Sequence, residues 1–219
     1  MSGRQPTSHE RRHGRPWDAS YVEGPPPWDI GEPQPAVRRL AVERAFTGAV
    51  LDAGCGTGEN ALHVASQGLH VLGIDVAETA VSIARETAAA RGLNADFVVA
   101  DALHLEHTHR RFDTVLDCGL FHTFSESGER RAYVASLASV TPPGAHLYVL
   151  CFSDEESDAT GPHPVRQEEL RAAFNPDSGW SVTSISPDLL QTRFAPQGAP
   201  AWLAKIQRIE AASLRAPTA

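Results

Sequence analysis

Ala49-Val50-Leu51-Asp52-Ala53-Gly54-Cys55-Gly56-Thr57-Gly58-Glu59-Asn60 passes from an apolar, β-favouring run through three glycines on alternate positions into a helical pattern. This predicts a strand, a tight turn and a helix N-terminus. Glycine in such a turn lets a ligand approach the backbone, and the free N–H groups opening the helix attract hydrogen-bond-accepting groups. The stretch therefore reads as a cradle for something small.

Downstream, helical and strand patterns alternate as a parallel α/β sheet requires. The periodicity predicts strand 49–53, helix 59–67, strand 70–75, helix 78–91, strand 95–100, strand 112–117, helix 126–140, strand 144–151, helix 166–174, strand 180–186 and strand 200–209. Gly68 and Gly92 fit the ends of two helices. Val50-Leu51, Val71-Leu72-Gly73-Ile74, Phe97-Val98-Val99 and Thr114-Val115-Leu116 are short and nearly all apolar, as strands covered on both faces should be. Upstream, Gln34 to Phe46 suits a helix with one buried face, with Pro35 near its start. Trp17, Tyr21 and Trp28 stand in a proline-rich segment that excludes a regular helix or a central strand, so their rings should pack on something. Residues 1–15 lack apolar periodicity and read as a disordered tail, residues 16–46 as an N-terminal segment with its helix, and 47–219 as the main domain.

The 219 residues suffice for one domain with a full core, and their 42% apolar and 21% charged composition is that of a soluble globular protein. A net charge of −8 argues against a nucleic-acid backbone binder, and no apolar run reaches the roughly 20 residues of a membrane span. Cys55, Cys118 and Cys151 sit in or beside predicted strands and the polar N-terminus lacks a secretory pattern, so reduced thiols in a cytoplasm are expected. His104, His107 and His109 lie in a polar stretch without a fixed cysteine or carboxylate partner pattern and read as a solvated loop, so no metal site is expected.

In an open α/β sheet the ligand lies outside the carboxyl ends of the strands. Asp75 ends the second predicted strand, Asp101-Ala102 the third and Asp117-Cys118-Gly119 the fourth. Asp75 is placed to accept hydrogen bonds from a ribose. The glycine spacing is not that of a dinucleotide fingerprint, and Glu59 would repel a pyrophosphate while favouring a ligand with an ammonium group.

Turn, strand-end acids and Phe112-Asp113-Thr114-Val115-Leu116-Asp117 together resemble the class I S-adenosylmethionine-dependent methyltransferases. The resemblance implies a Rossmann-like, seven-stranded, mostly parallel sheet with helices on both faces and an antiparallel final strand. It implies S-adenosylmethionine as cofactor, held by Asp52, Gly54, Gly56, Gly58, Asn60, Asp75, Val76, Asp101, Ala102, Asp117 and Cys118, with Trp28 from the N-terminal arm. Pro27-Trp28-Asp29-Ile30-Gly31-Glu32-Pro33-Gln34-Pro35 is similar to a segment of the thiopurine, thiol, halide and heterocyclic-toxin methyltransferases, whose N-terminal arm folds over the pocket as a lid. On that reading Trp17, Trp28, Phe121, His122 and Phe124 bind a small acceptor. A methyl donor needs mainly an aligned acceptor, with a base only for one that arrives protonated; His122 is the expected base, and Asp117, which the resemblance makes the first residue of the substrate-facing motif, is the second expected catalytic residue. The expected activity is methyl transfer to an oxygen, nitrogen or sulfur of a small aromatic or heterocyclic molecule, by a monomer or homodimer without nucleic-acid or membrane partners. Thiol, thiopurine or halide methylation is the nearest alternative. A non-catalytic sensor that only binds the cofactor, and a nicotinamide oxidoreductase, are the readings of another class. The loop Gly161-Pro162-His163-Pro164-Val165-Arg166, after an acidic run 154–158, borders the same crevice.

Overall fold

The computed structural model describes residues 4–155 and 162–210, so most of the acidic run, Gly161 and the C-terminus fall outside the described residues. Seven strands form one sheet: β1 Ala49–Ala53, β2 His70–Asp75, β3 Ala95–Val99, β4 Thr114–Cys118, β5 His146–Phe152, β6 Trp180–Leu190 and β7 Ala199–Arg208. Their spatial order is β3-β2-β1-β4-β5-β7-β6. β1 to β5 are parallel, and β7 runs antiparallel to both β5 and β6. The order reverses between β1 and β4, which opens a crevice at their carboxyl ends.

Side-chain alternation divides the core between the two faces of the sheet. Leu51, Ile74, Val115 and Val149 pack with Tyr133, Leu137 and Val140 of α6 (Ser127–Val140) and Leu170 of α7 (Gln167–Ala173). On the other face Val50, Val71, Leu116 and Leu150 meet α3 (Pro35–Val42), α4 (Glu59–Ala65) and α5 (Glu78–Arg91). Burying strand and helix faces together supplies the main driving force, about 25 cal/mol per Å² of apolar surface. Among the described residues no helix is long and apolar enough to cross a membrane.

Four segments differ from the sequence expectations. The tail expected to be disordered carries α1 (Ser8–His13), opened by a Thr7/Glu10 capping box and closed by Gly14 in the left-handed region at φ 63°. The proline-rich segment expected to exclude a regular helix holds the single-turn helix α2 (Ala19–Val22), ahead of its prolines 25–27. β6 continues past Pro187 to Leu190. That is tolerated because β6 is an edge strand, where a missing N–H leaves no neighbour unpaired. Ala102–Thr108 forms 3₁₀ turns in place of a loop, with His104 and His107 exposed. Among the described residues no histidine, cysteine and carboxylate group is arranged to hold a metal ion.

Candidate active site

The turn after β1 is shaped by glycines, with Gly54 at φ 73° and Gly56 at φ 53° in the left-handed region. Gly54 and Cys55 donate to the Ile74 carbonyl at 2.9 and 2.8 Å, which ties the turn to β2. Asp75 at the end of β2 accepts from Gly56 N–H and Ala77 N–H, each at 2.9 Å. Each of its oxygens keeps a lone pair for a ligand, and burial holds its pKa above the ordinary carboxylate value. Gly54, Gly56, Asn60, Asp75, Val76 and Cys118 all face a cavity of about 700 Å³. Asp101 and Ala102 also line it, with Asp101 capping the 3₁₀ turns by accepting from Leu103 N–H at 2.9 Å.

Three residues expected to hold the cofactor lie elsewhere. Gly58 is a packing glycine: a Cβ there would stand 2.8 Å from Phe97 Cε1 and 2.9 Å from Ala84 Cβ. Asp52 is 1% exposed beneath the turn, and neither carboxylate oxygen has a hydrogen-bond partner among the described residues. Its burial, then the nearby Asp117 charge, push its pKa up to about 7. Asp117 is itself fully buried. Its Oδ1 accepts from Leu120 N–H at 2.9 Å and Phe121 N–H at 3.1 Å, and its Oδ2 from the Tyr133 hydroxyl at 2.8 Å. It organises the loop after β4 from below and does not reach the cavity. Glu59 pairs with Arg91 through both oxygens at 2.7 and 2.8 Å, so its charge is compensated.

The N-terminal segment covers the crevice. Trp28 Nε1–H donates to the Tyr21 hydroxyl at 3.0 Å, and Trp17 meets Trp28 edge to face with centroids 5.6 Å apart. His9 stacks on Trp17 at 4.5 Å. The Thr57 hydroxyl donates to Asp29 Oδ2 at 2.8 Å, and Arg193 donates to the carbonyls of Pro27 and Asp29, so the cover is fastened to the glycine turn and to the β6–β7 connection. Helix α1 docks at the start of α6, where Ser8 N–H donates to Glu129 at 2.6 Å and Arg11 pairs with Glu126. Glu10 is 4% exposed and accepts from Arg4, Thr7 N–H and Trp17 N–H.

At the carboxyl ends of β4 and β5 the wall is aromatic. His122 lies on the 3₁₀ turn Phe121–Thr123 and is 4% exposed. Its ring stacks on Phe152 at 4.8 Å, and Nδ1 accepts the Phe152 N–H at 3.1 Å. Burial lowers its pKa to about 3, so the expected base is a neutral ring whose Nδ1 is committed to the backbone. Phe124 joins the wall, whereas Phe121 is fully buried against Phe174 and is a core residue, contrary to expectation. Trp17 and Trp28 line the cavity as expected.

The sequence reading missed Tyr21 as a wall residue, along with His9, His13, Phe152 and Phe194. Thr7-x-x-Glu10 before Gly14 is a legible capping signal for α1 and brings two of them. Phe152 and Phe194 carry no such signal.

The residues present fit S-adenosylmethionine. Gly54 and Gly56 both form the cavity wall in the left-handed region, where a side chain would be strained and glycine leaves the backbone open to a ligand. Asp75 keeps acceptor capacity for ribose hydroxyls.

Comparison with known proteins agrees. The family described as "Methyltransferase domain" matches residues 50–144. The chain is 41% identical over 165 residues to a 2-heptyl-1-hydroxyquinolin-4(1H)-one methyltransferase of Mycobacteroides abscessus, covering 74% of this chain and 71% of that one. It is 30% identical to a probable thiol methyltransferase of Arabidopsis thaliana, covering 77% and 75% of the two chains. A solved structure described under the conversion of a disulfide bond into a thioacetal group during echinomycin biosynthesis superposes with TM-score 0.77 at 41% identity, covering 88% of this chain and 91% of that one.

Proposed function

From the premise that the chain belongs to the class I S-adenosylmethionine-dependent methyltransferases and is such an enzyme, we propose that its acceptor is a small, flat aromatic or heterocyclic molecule, methylated on an oxygen. The observation that carries this reading is the cavity itself. Beside the cofactor cradle its wall is built from Trp17, Trp28, Phe124 and Phe152, and residues of the N-terminal segment close it over. Aromatic walls bind flat rings through area burial and stacking, and a cavity of about 700 Å³ accommodates a cofactor with a small acceptor. The 41% identity to an enzyme named for a hydroxyquinolone acceptor supports the same class.

When bound, the sulfonium supplies an activated methyl and departs as a neutral thioether. The chain's own residues hold and shield. Asp75 receives the ribose, Gly54 and Gly56 let the ligand approach the backbone, and Trp28 with Tyr21 excludes water. Fixing the acceptor in line is worth up to about 7–11 kcal/mol in well-oriented systems, so positioning carries most of the rate.

A second reading, thiol methylation, is favoured by the 30% identity to the Arabidopsis protein. Labelled S-adenosylmethionine offered with 2-heptyl-1-hydroxyquinolin-4(1H)-one, aryl and alkyl thiols, a thiopurine and iodide separates the two. The expected product is the O-methyl quinolone or its analogue. Labelled thioether alone would move the assignment to thiols, and tight cofactor binding with no product from any acceptor would favour a sensor.

A further inference from the structure

His122 lines the cavity with one ring nitrogen already hydrogen-bonded to the backbone. A backbone N–H points at its Nδ1, at 3.1 Å from Phe152, so Nδ1 carries no proton. A neutral imidazole keeps its one proton on the other nitrogen, Nε2. That nitrogen has no protein partner among the described residues. It lies beside Gly119, where a Cβ would stand 3.6 Å from both Nε2 and Cε1, and Gly119 and His122 both form the cavity wall. A side chain 4% exposed thus keeps an unpartnered Nε2–H at the wall formed by the loop after β4.

The charges around it point the same way. The carboxylates on the wall, Asp29, Glu32, Glu59, Asp75 and Asp101, belong to the N-terminal cover, the glycine turn and the ends of β2 and β3. Among the described wall residues, segments 118–124 and 152–199 contribute no acid. The groups facing His122 from other elements are His9 of α1 and His163 before α7, both of which disfavour an imidazolium, as burial does. His163 in turn pairs with Glu169 at 3.0 Å.

We propose that His122 recognises the acceptor as an anion, its Nε2–H donating to the deprotonated oxygen of an acidic hydroxyl, and that it takes up no proton in the reaction. This rests on the small-molecule reading above and narrows it to acceptors acidic enough to ionise near neutrality, such as N-hydroxy heterocycles and electron-poor phenols. The hydroxyl proton passes to solvent as the acceptor binds. In the transfer the oxygen lone pair forms the new bond to the methyl carbon, and the electron pair of the broken carbon–sulfur bond remains on sulfur. Charges then balance without a protein base.

Two measurements on the protein saturated with S-adenosylhomocysteine test this without turnover. With ¹⁵N-labelled histidine, His122 should show an unprotonated Nδ1 and a protonated Nε2 from about pH 6 to pH 8. 4-Nitrophenol, whose anion absorbs at longer wavelength than the neutral form, should bind with its acidity raised about tenfold, the magnitude of one charge-assisted hydrogen bond. His122→Gln retains an N–H donor and no useful base, so it should keep that shift; His122→Phe should lose it. A proton on Nδ1 would overturn the proposal, as would probe bound in its neutral form or equal shifts in the Phe variant and the wild type. Failure to methylate any acceptor would sink the small-molecule reading while leaving these ground-state results standing.

Discussion

Asp75 commits one lone pair on each oxygen to Gly56 and Ala77 and still borders the cavity, so it shapes the turn and is placed to receive a ligand. Asp75→Ala should weaken S-adenosylhomocysteine binding by at least about 2–3 kcal/mol, measured by calorimetry, because charge-assisted hydrogen bonds of ~1.5–3 kcal/mol are lost. Unchanged affinity would remove Asp75 from the ligand. Gly58 makes the opposite case. Its substitution by Ala should destabilise the fold by about 2–4 kcal/mol in urea unfolding, since the new Cβ overlaps Phe97 and Ala84 at a φ of 86°. The remaining folded protein should bind the cofactor product within a few-fold of wild type, and a selective loss of affinity at normal stability would return Gly58 to the site. The glycine pattern was legible in the sequence. Which glycines face ligand and which face Phe97 was not, because α5 and β3 bring those atoms from sequence positions 84 and 97.

At the scale of elements, α1 is a short helix that holds only through its contacts, since isolated helices of this length are unstable in water. Glu10 is its anchor, joining Arg4, Thr7 and Trp17. Glu10→Ala should release the helix, raise the acceptor KM about tenfold or more and speed amide hydrogen exchange over residues 7–17, because three donors lose their acceptor. If exchange there stayed slow and KM unchanged, the cover would not depend on this contact. The strand and helix elements from Ala49 to Phe152 were readable to within two residues, because they combine continuous apolar strands with helical segments that alternate with them, α5 ending on Gly92. Helix α1 is signalled in the sequence by its Thr7/Glu10 capping box alone, for a physical reason. It has no apolar face of its own and is held by charged and polar partners on α6 and the loop before it.

Across the whole molecule, the buried acids under the sheet's crevice link stability to pH. Asp52 has its pKa raised to about 7, above the roughly 3.9 of an unfolded chain, so the unfolded state gives up its proton first as pH rises. The contribution is fully present below about pH 4 and is lost as pH climbs through about 7. Asp117, raised to about 6 by burial, acts in the same direction. Buried His122 and half-buried His9, with pKa values lowered to about 3 and about 4, act in the opposite direction below about pH 6.5. The wild-type difference in urea resistance between pH 5.5 and pH 8 is therefore a balance, and Asp52→Asn should shift it in favour of pH 8. An unshifted difference in the variant would clear Asp52 of the effect. By itself the sequence determined the strand and helix order, the glycine turn and the acids that close the strands, because these are encoded by local periodicity and by residues whose conformational freedom is local. Only the tertiary structure decided that Asp117 looks into the core while Cys118 looks into the cavity, that His122 Nδ1 is occupied as an acceptor, and that a charged N-terminal helix covers the site. Those outcomes depend on which distant group meets a side chain, Tyr133 for Asp117, the Phe152 amide for His122, Glu129 for Ser8, and such meetings are set by the packing of the folded chain.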